Sequence, residues 1–236
     1  MLLKGNRANL ALPMRASLPT PDVDSPQPVV FLVDDDKVVL KVVARLLRAE
    51  GFEVAMFVSP LDFLAAYDPA TPGCLVLDMA MPGLSGLELQ QALAARGSEM
   101  PIIFLTGSSD VPMCAQALKR GATDFFTKSV HHTDLVVAIR RALQQDLRAR
   151  QKRAELDDIR ARIASLTPRE REVMAHVVTG QLNKQIAADL GTVEKTIKAH
   201  RGRVMEKMRV VSVAALCRLV EKCGGASQMG EGRYRP

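Results

Sequence analysis

Apolar residues in this chain come in short runs that stop at acids, hydroxyls or an ammonium. Val29-Val30-Phe31-Leu32-Val33 runs into Asp34-Asp35-Asp36, and Cys74-Leu75-Val76-Leu77 into Asp78, with Met79-Ala80-Met81-Pro82-Gly83 behind it. Pro101-Ile102-Ile103-Phe104-Leu105 ends in Thr106-Gly107, and Asp124-Phe125-Phe126-Thr127 ends in Lys128. Runs this short, bounded by turn residues, predict strands buried on both faces, as in a parallel sheet. Glu53 to Phe57 predicts a weaker strand. Helical spacing fills the gaps: Lys37–Glu50, with a stripe of Val38, Val42, Leu46 and Leu47 closed by Gly51; Ser59 or Pro60 through Tyr67; Gly86–Ala95; Val111–Arg120, closed by Gly121; and a long helix from Thr133 onward. Five strand–helix units imply one parallel sheet with helices on both faces. Asp78 then stands at the carboxyl end of a central strand, where chemistry collects in open α/β sheets.

The pattern changes after residue 142. Residues 143–165 are mostly Gln, Arg, Ala, Lys and Asp with sparse apolar positions, which predicts a helical linker continuous with the preceding helix. Ile159, Ile163 and Leu166 suggest a weak seam along it. Leu166-Thr167-Pro168-Arg169-Glu170-Arg171-Glu172-Val173 then opens a second domain, with Thr167 as N-cap, Pro168 at the first helical position and Glu170 where a capping-box acid belongs. Helices are expected at Pro168–Thr179, Asn183–Leu190, Val193–Met208 and Ser212–Lys222, broken at Gly180 and Gly191. The short second helix, tight turn and third helix make a helix-turn-helix.

Charge supports the division. Residues 1–147 carry 13 basic and 16 acidic side chains, and residues 148–236 carry 19 and 10. An acidic half beside a basic half implies different partners, the basic one nucleic acid. No Trp is present, which argues against a stacking platform for single strands. Four cysteines, at 74, 114, 217 and 223, lack metal or redox spacing, and Cys74 and Cys114 read as buried fillers. No apolar run approaches membrane-spanning length, and the expected location is the cytoplasm. Residues 1–28, rich in proline, and 225–236 read as a disordered arm and tail. Arg7 and Arg15 interrupt any secretory core, and Met14 is an alternative natural start.

Carboxylates gathered at one sheet edge need a cation to offset their repulsion, and an oxygen-only set fits Mg²⁺. Asp34 to Asp36 read equally well as caps for the helix that follows. Thr106 reads also as a helix cap, Lys128 as a solvated lysine and Phe125 as core.

The acid pair after strand one, Asp78-x-x-Met81-Pro82-Gly83 after strand three, Thr106-Gly107 after strand four and Lys128 after strand five together resemble the receiver domain of two-component response regulators. The resemblance implies a flavodoxin-like sheet of order 2-1-3-4-5 over residues 29–142, and phosphorylation of Asp78 by a sensor histidine kinase. It implies Mg²⁺ held by Asp35, Asp78 and the Ala80 carbonyl, with Asp34 reaching it through water. Lys128 and Thr106 would contact phosphoryl oxygens, and Phe125 would be the switch aromatic. Homodimerisation on phosphorylation is implied too. The receiver would catalyse only its own phosphorylation and dephosphorylation. One departure stands out: Ser129 occupies the position where the family usually has proline, often after a cis bond.

In residues 166–224, Leu166-Thr167-x-Arg169-Glu170-x-Glu172-Val173, Gly180, Asn183-Lys184-x-Ile186-Ala187 and Thr196-Ile197-x-x-His200 resemble the LuxR-type helix-turn-helix domain. Residues 29–224 as a whole resemble the FixJ/NarL class of response regulators, α/β receiver first and all-α DNA-binding domain second. That resemblance puts Lys198, Ala199 and Gly202 at base-reading positions in double-stranded promoter DNA, with RNA polymerase as the partner in transcription. Lys184, Lys195, Thr196, Arg201 and Arg203 fall among the DNA-binding residues, the basic ones placed for phosphates, although Arg201 reads equally as a solvated charge. His200 reads as packing. Two other readings compete. A haloacid-type aspartyl-phosphate hydrolase needs a second acid where this chain has Ala80. A phosphorylation-independent transcription factor with a degenerate receiver has only Ser129 in its favour.

Overall fold

The computed structural model describes residues 27–107 and 111–224, without the side chains of 111–114. The expected arm up to residue 26, the Met14 start, Cys114 and the tail from 225 lie outside the described residues. The element order is β1 (Val29–Val33), α1 (Lys37–Ala49), β2 (Glu53–Phe57), α2 (Pro60–Ala66), β3 (Gly73–Leu77), α3 (Gly86–Ala95), β4 (Ile102–Thr106), α4 (Val111–Lys119), β5 (Asp124–Thr127), α5 (His132–Ala164), α6 (Pro168–Val178), α7 (Asn183–Asp189), α8 (Glu194–Lys207) and α9 (Val213–Lys222).

All five strands pair in parallel in the order β2-β1-β3-β4-β5. Val33 pairs with Leu77 and Leu77 with Phe104, so the acids after β1 and β3 leave the sheet at one level. β3 and β4 are buried along their whole length, as central strands covered on both faces must be. One face packs α1 and α5 through Leu40, Ala44, Leu47, Leu135, Ile139 and Ala142. The other packs α2 and α3 through Phe63, Leu89 and Leu93. Phe31, Phe57, Phe63 and Tyr67 contact one another edge-on or stacked, with Phe63–Tyr67 centroids 5.3 Å apart, and pin α2 to the sheet edge.

Two expectations need correction. The α1 stripe is rotated: Val38 and Val42 are 69% and 61% exposed, while Leu40, Ala44 and Leu47 face the core. Leu46 and Leu47 of the expected stripe do pack on the core, whereas Leu40 and Ala44 take the places expected of Val38 and Val42, which lie on the opposite side of the helix. The seam of Ile159, Ile163 and Leu166 is no free coiled-coil edge, because all three pack into the core of the second domain. That core therefore begins inside α5, seven residues before the expected boundary at 166. It also takes in Val173, Met174, Val177, Ile186, Ile197, Val204, Met208, Leu216 and Val220. The 33-residue helix α5 thus carries its first turns against the receiver sheet and its last turns into the helical domain.

Candidate functional site

The two readings of Asp34-Asp35-Asp36 divide between residues. Asp36 caps α1, its carboxylate accepting from the N–H groups of Val38 at 2.7 Å and Val39 at 3.3 Å. Asp34 and Asp35 instead join Asp78, with one oxygen from each lying within 4.8 Å of the others. Asp34 and Asp78 are each 5% exposed, and Asp35 is open to solvent. Asp34 Oδ1 accepts the N–H of Asp36 at 2.9 Å, and Asp78 Oδ1 that of Met79 at 2.8 Å. These bonds fix which oxygens face the rim.

Lys128 lies between the buried acids, its Nζ 2.7 Å from Asp34 Oδ2 and 3.1 Å from Asp78 Oδ2. Burial raises the Asp78 carboxyl above its ordinary range, and the Asp34 charge adds to that; the Lys128 ammonium and the Met79 N–H oppose it. For Lys128, burial works against the charge, but hydrogen bonds to both carboxylates outweigh it and the pKa rises. Three carboxylates against one ammonium leave a net negative nest of oxygen donors. A hard divalent cation fits that donor set.

Thr106 ends β4, buried at 5% exposure, and its carbonyl accepts the Lys128 N–H at 2.6 Å. That bond ties the lysine's backbone to the hydroxyl-bearing strand end. Phe125 pairs with Phe104 in the sheet and is half-buried against the α3-side core. Ala80 is exposed beside the rim. No described peptide bond is cis, so Lys128–Ser129 is trans, and the Ser129 hydroxyl lies 3.0 Å from Thr127 Oγ1.

Gly86 was missed by sequence reasoning. A Cβ there would stand 2.3 Å from the Asp78 carbonyl oxygen, so only glycine lets α3 start this close to the acid. Its N–H bonds the Met79 carbonyl at 3.0 Å. Ser85 and Glu88 complete a capping box beside it, and the Ser85 hydroxyl and N–H hold Glu88 below the usual carboxylate range.

In the second domain, α8 buries Ile197, Val204 and Met208 and leaves Lys195, Lys198, Ala199, Gly202 and Arg203 exposed on its other side. Thr196 is half-buried, and Lys184 is exposed on α7. Arg201 donates to Asn183 Oδ1 at 3.0 Å and so ties α8 to the start of α7. His200 is partly buried, its Nδ1 lacking a partner among the described residues. Arg169 donates to the Leu190 carbonyl at 2.6 Å, closing α6 on α7.

A second omission lies beneath this face. Glu170 is buried; its Oε2 accepts from Lys207 at 2.6 Å and from the Thr167 N–H at 2.9 Å. Lys207, then the Thr167 N–H, pull its pKa down from the ordinary 4.5 to about 2. Lys207 also reaches the Ser165 carbonyl at 3.1 Å. One ammonium therefore joins the end of α5, the start of α6 and the end of α8. The capping acid was visible in the sequence, but its partner 37 positions away was not.

The architecture defines a class: an acid-rimmed receiver sheet joined by one helix to a helix-turn-helix domain. The receiver domain family of response regulators matches residues 30–140, and the bacterial regulatory proteins of the luxR family match residues 164–220. Response regulator protein TmoT of Ectopseudomonas mendocina is 42% identical over 194 residues, covering 82% of this chain and 88% of its own length. Nodulation protein W of Bradyrhizobium diazoefficiens is 41% identical, covering 85% and 88%. Among solved structures, response regulator StyR matches with a TM-score of 0.79 and 44% identity, covering 83% of this chain and 99% of its own. Full-length FixJ from B. japonicum gives 0.51 and 37%, covering 85% and 98%. The chain belongs to the response regulators that join a receiver to a LuxR-type DNA-binding domain, the FixJ class of transcriptional regulators.

Proposed function

We propose that Asp78 is the phosphoacceptor and that a sensor histidine kinase is the donor. An Asp78 carboxylate oxygen attacks phosphorus, the bond from phosphorus to the donor's imidazole nitrogen breaks, and an aspartyl phosphate forms. The observation that supports this most directly is the Lys128 ammonium 3.1 Å from Asp78 Oδ2, beside the Thr106 strand end. A cation there offsets charge on the incoming phosphoryl group, and catalysis is positioning plus electrostatics. Asp35, Asp78 and the Ala80 carbonyl would hold Mg²⁺, with Asp34 reaching it through water; when bound, the ion screens the anions from one another. Thr106 donates its hydroxyl to a phosphoryl oxygen, and Phe125 turns inward as that loop moves.

Phosphorylation adds about −1.5 to −2 charge, and the change reaches the face of α4, β5 and α5, where two copies pair. The paired domains read a promoter in the cytoplasm through α8 and act with RNA polymerase. Lys198, Ala199 and Gly202 face bases, while Lys184, Lys195, Thr196, Arg201 and Arg203 secure the backbone. Acetyl phosphate with Mg²⁺ labels the wild type and not Asp78→Asn, and only the labelled protein protects its promoter at low concentration. Equal protection by Asp78→Asn would overturn the reading in favour of a receiver that no longer switches.

A further inference from the structure

Asp146 and Arg150 lie in the stretch of α5 whose composition reads as linker, yet they are built into the receiver. Asp146 is buried, and its Oδ2 accepts from the Gly73 N–H at 2.9 Å and from Arg150 Nε at 2.7 Å. The Arg150 guanidinium turns its other nitrogens to the loop before β3, with Nη1 to the Ala70 carbonyl at 2.9 Å and Nη2 to the Thr71 carbonyl at 2.7 Å. That loop is itself fixed. The Pro72 carbonyl accepts the Val29 N–H at 2.9 Å, and Gly73 lies so close to β1 that a Cβ would stand 2.1 Å from the Val29 carbonyl oxygen. A planar fork satisfied by one buried carboxylate and two carbonyls has geometric definition that an exposed ion pair lacks. Arg160–Asp157, further along α5, is such an exposed pair.

We propose that Asp146 and Arg150 form a clamp that fixes α5 to the receiver and so aims the DNA-binding domain, making Arg150 a positioning residue for binding paired half-sites. This rests on the reading that phosphorylated copies pair on DNA. The second core begins at Ile159, nine positions after Arg150, so about 14 Å of helix separates the clamp from it. Over that length a held helix transmits orientation, whereas an unheld one is a tether. The gain from joining two DNA-binding domains depends on whether they reach both half-sites at once. Asp146 left alone would be an uncompensated buried charge, so the clean test removes both charges.

The test uses full-length Asp146→Asn/Arg150→Met and DNA selected from a random library by the phosphorylated wild type. Acetyl-phosphate labelling of Asp78 and affinity for a single half-site stay within about twofold, while affinity for the paired site falls about tenfold or more. Arg150→Lys alone recovers part of the loss, because an ammonium still reaches Asp146. Fluorophores at Val42 and Val211 report a narrow interdomain distance distribution in the wild type and a broad one in the double variant. Unchanged width, or undiminished paired-site affinity in a labelled protein, overturns the clamp. Failure of labelling in the wild type sinks the phosphorylation reading instead, and the distance widths still judge the clamp.

Discussion

Asp78 has little freedom, because the chain presses on it from behind as well as in front. Gly86 stands against its carbonyl oxygen and Met79 N–H holds Oδ1. Gly86→Ala must push the β3–α3 loop off the rim, and displacement of about 1 Å at a reacting group costs about 10²-fold in rate. Acetyl-phosphate labelling should fall accordingly while the DNA-binding domain keeps its helical signal. Lys128→Met removes the ammonium shared by Asp34 and Asp78, and loss of one such electrostatic group slows transfer by about 10²- to 10³-fold. Single-turnover labelling measures this directly. The acids and Thr106 were legible because each ends a buried apolar run, and Lys128 because it ends β5, which is an edge strand only half-buried rather than covered on both faces as expected. Gly86 was not, since a glycine at a helix start looks like ordinary punctuation and the atom it must avoid is eight residues away.

Elements show the same division between local and distant causes. Ser59, Ser85, Thr167 and Ser212 each accept from the first turn of the helix that follows, and of these the Thr167 cap was readable. The phase of α1 was not, because Val38 and Val42 offer the right chemistry on the wrong side, and only the sheet decides which stripe it covers. Residues 143–165 do form the expected continuous helix, but what that helix touches was not readable. Their polarity hides the clamp, and the seam of Ile159, Ile163 and Leu166 did not reveal which core it joins, since a long helix needs only a few contacts at each end. The Glu170–Lys207 pair gives a pH test. The carboxyl's pKa is depressed on folding, so its stabilisation is complete above about 4.5 and is lost as pH falls toward about 2. Lys207→Met removes the chief cause of the depression, so acid unfolding of the helical domain should begin at higher pH, followed by circular dichroism from pH 5 to 2. An unmoved midpoint would show that the Thr167 N–H alone holds the acid.

The whole molecule is two cores on one helix. Receiver residues fill two clusters, and the third contains Ile159 and residues beyond it. Among the described residues, hydrogen bonds from Arg162 to Met208, Lys207 to Ser165 and Lys222 to Glu155 tie α5 to the DNA-binding domain. The α8 face stands uncovered in this arrangement.

An unbroken α5 also converts chain length into angle. An α-helix turns about 100° and climbs about 1.5 Å per residue. Two alanines added between Gln151 and Ala154 swing the promoter-reading half by about 200°, and seven bring it back to within about 20° of its starting bearing. Affinity for a two-site promoter should collapse with the first insertion and recover in good part with the second, as gel-shift titration would record. The polar linker helix is then a protractor, and evolution could retune which promoters this protein fits by adding or deleting residues in it, without touching a single group that meets phosphate or base.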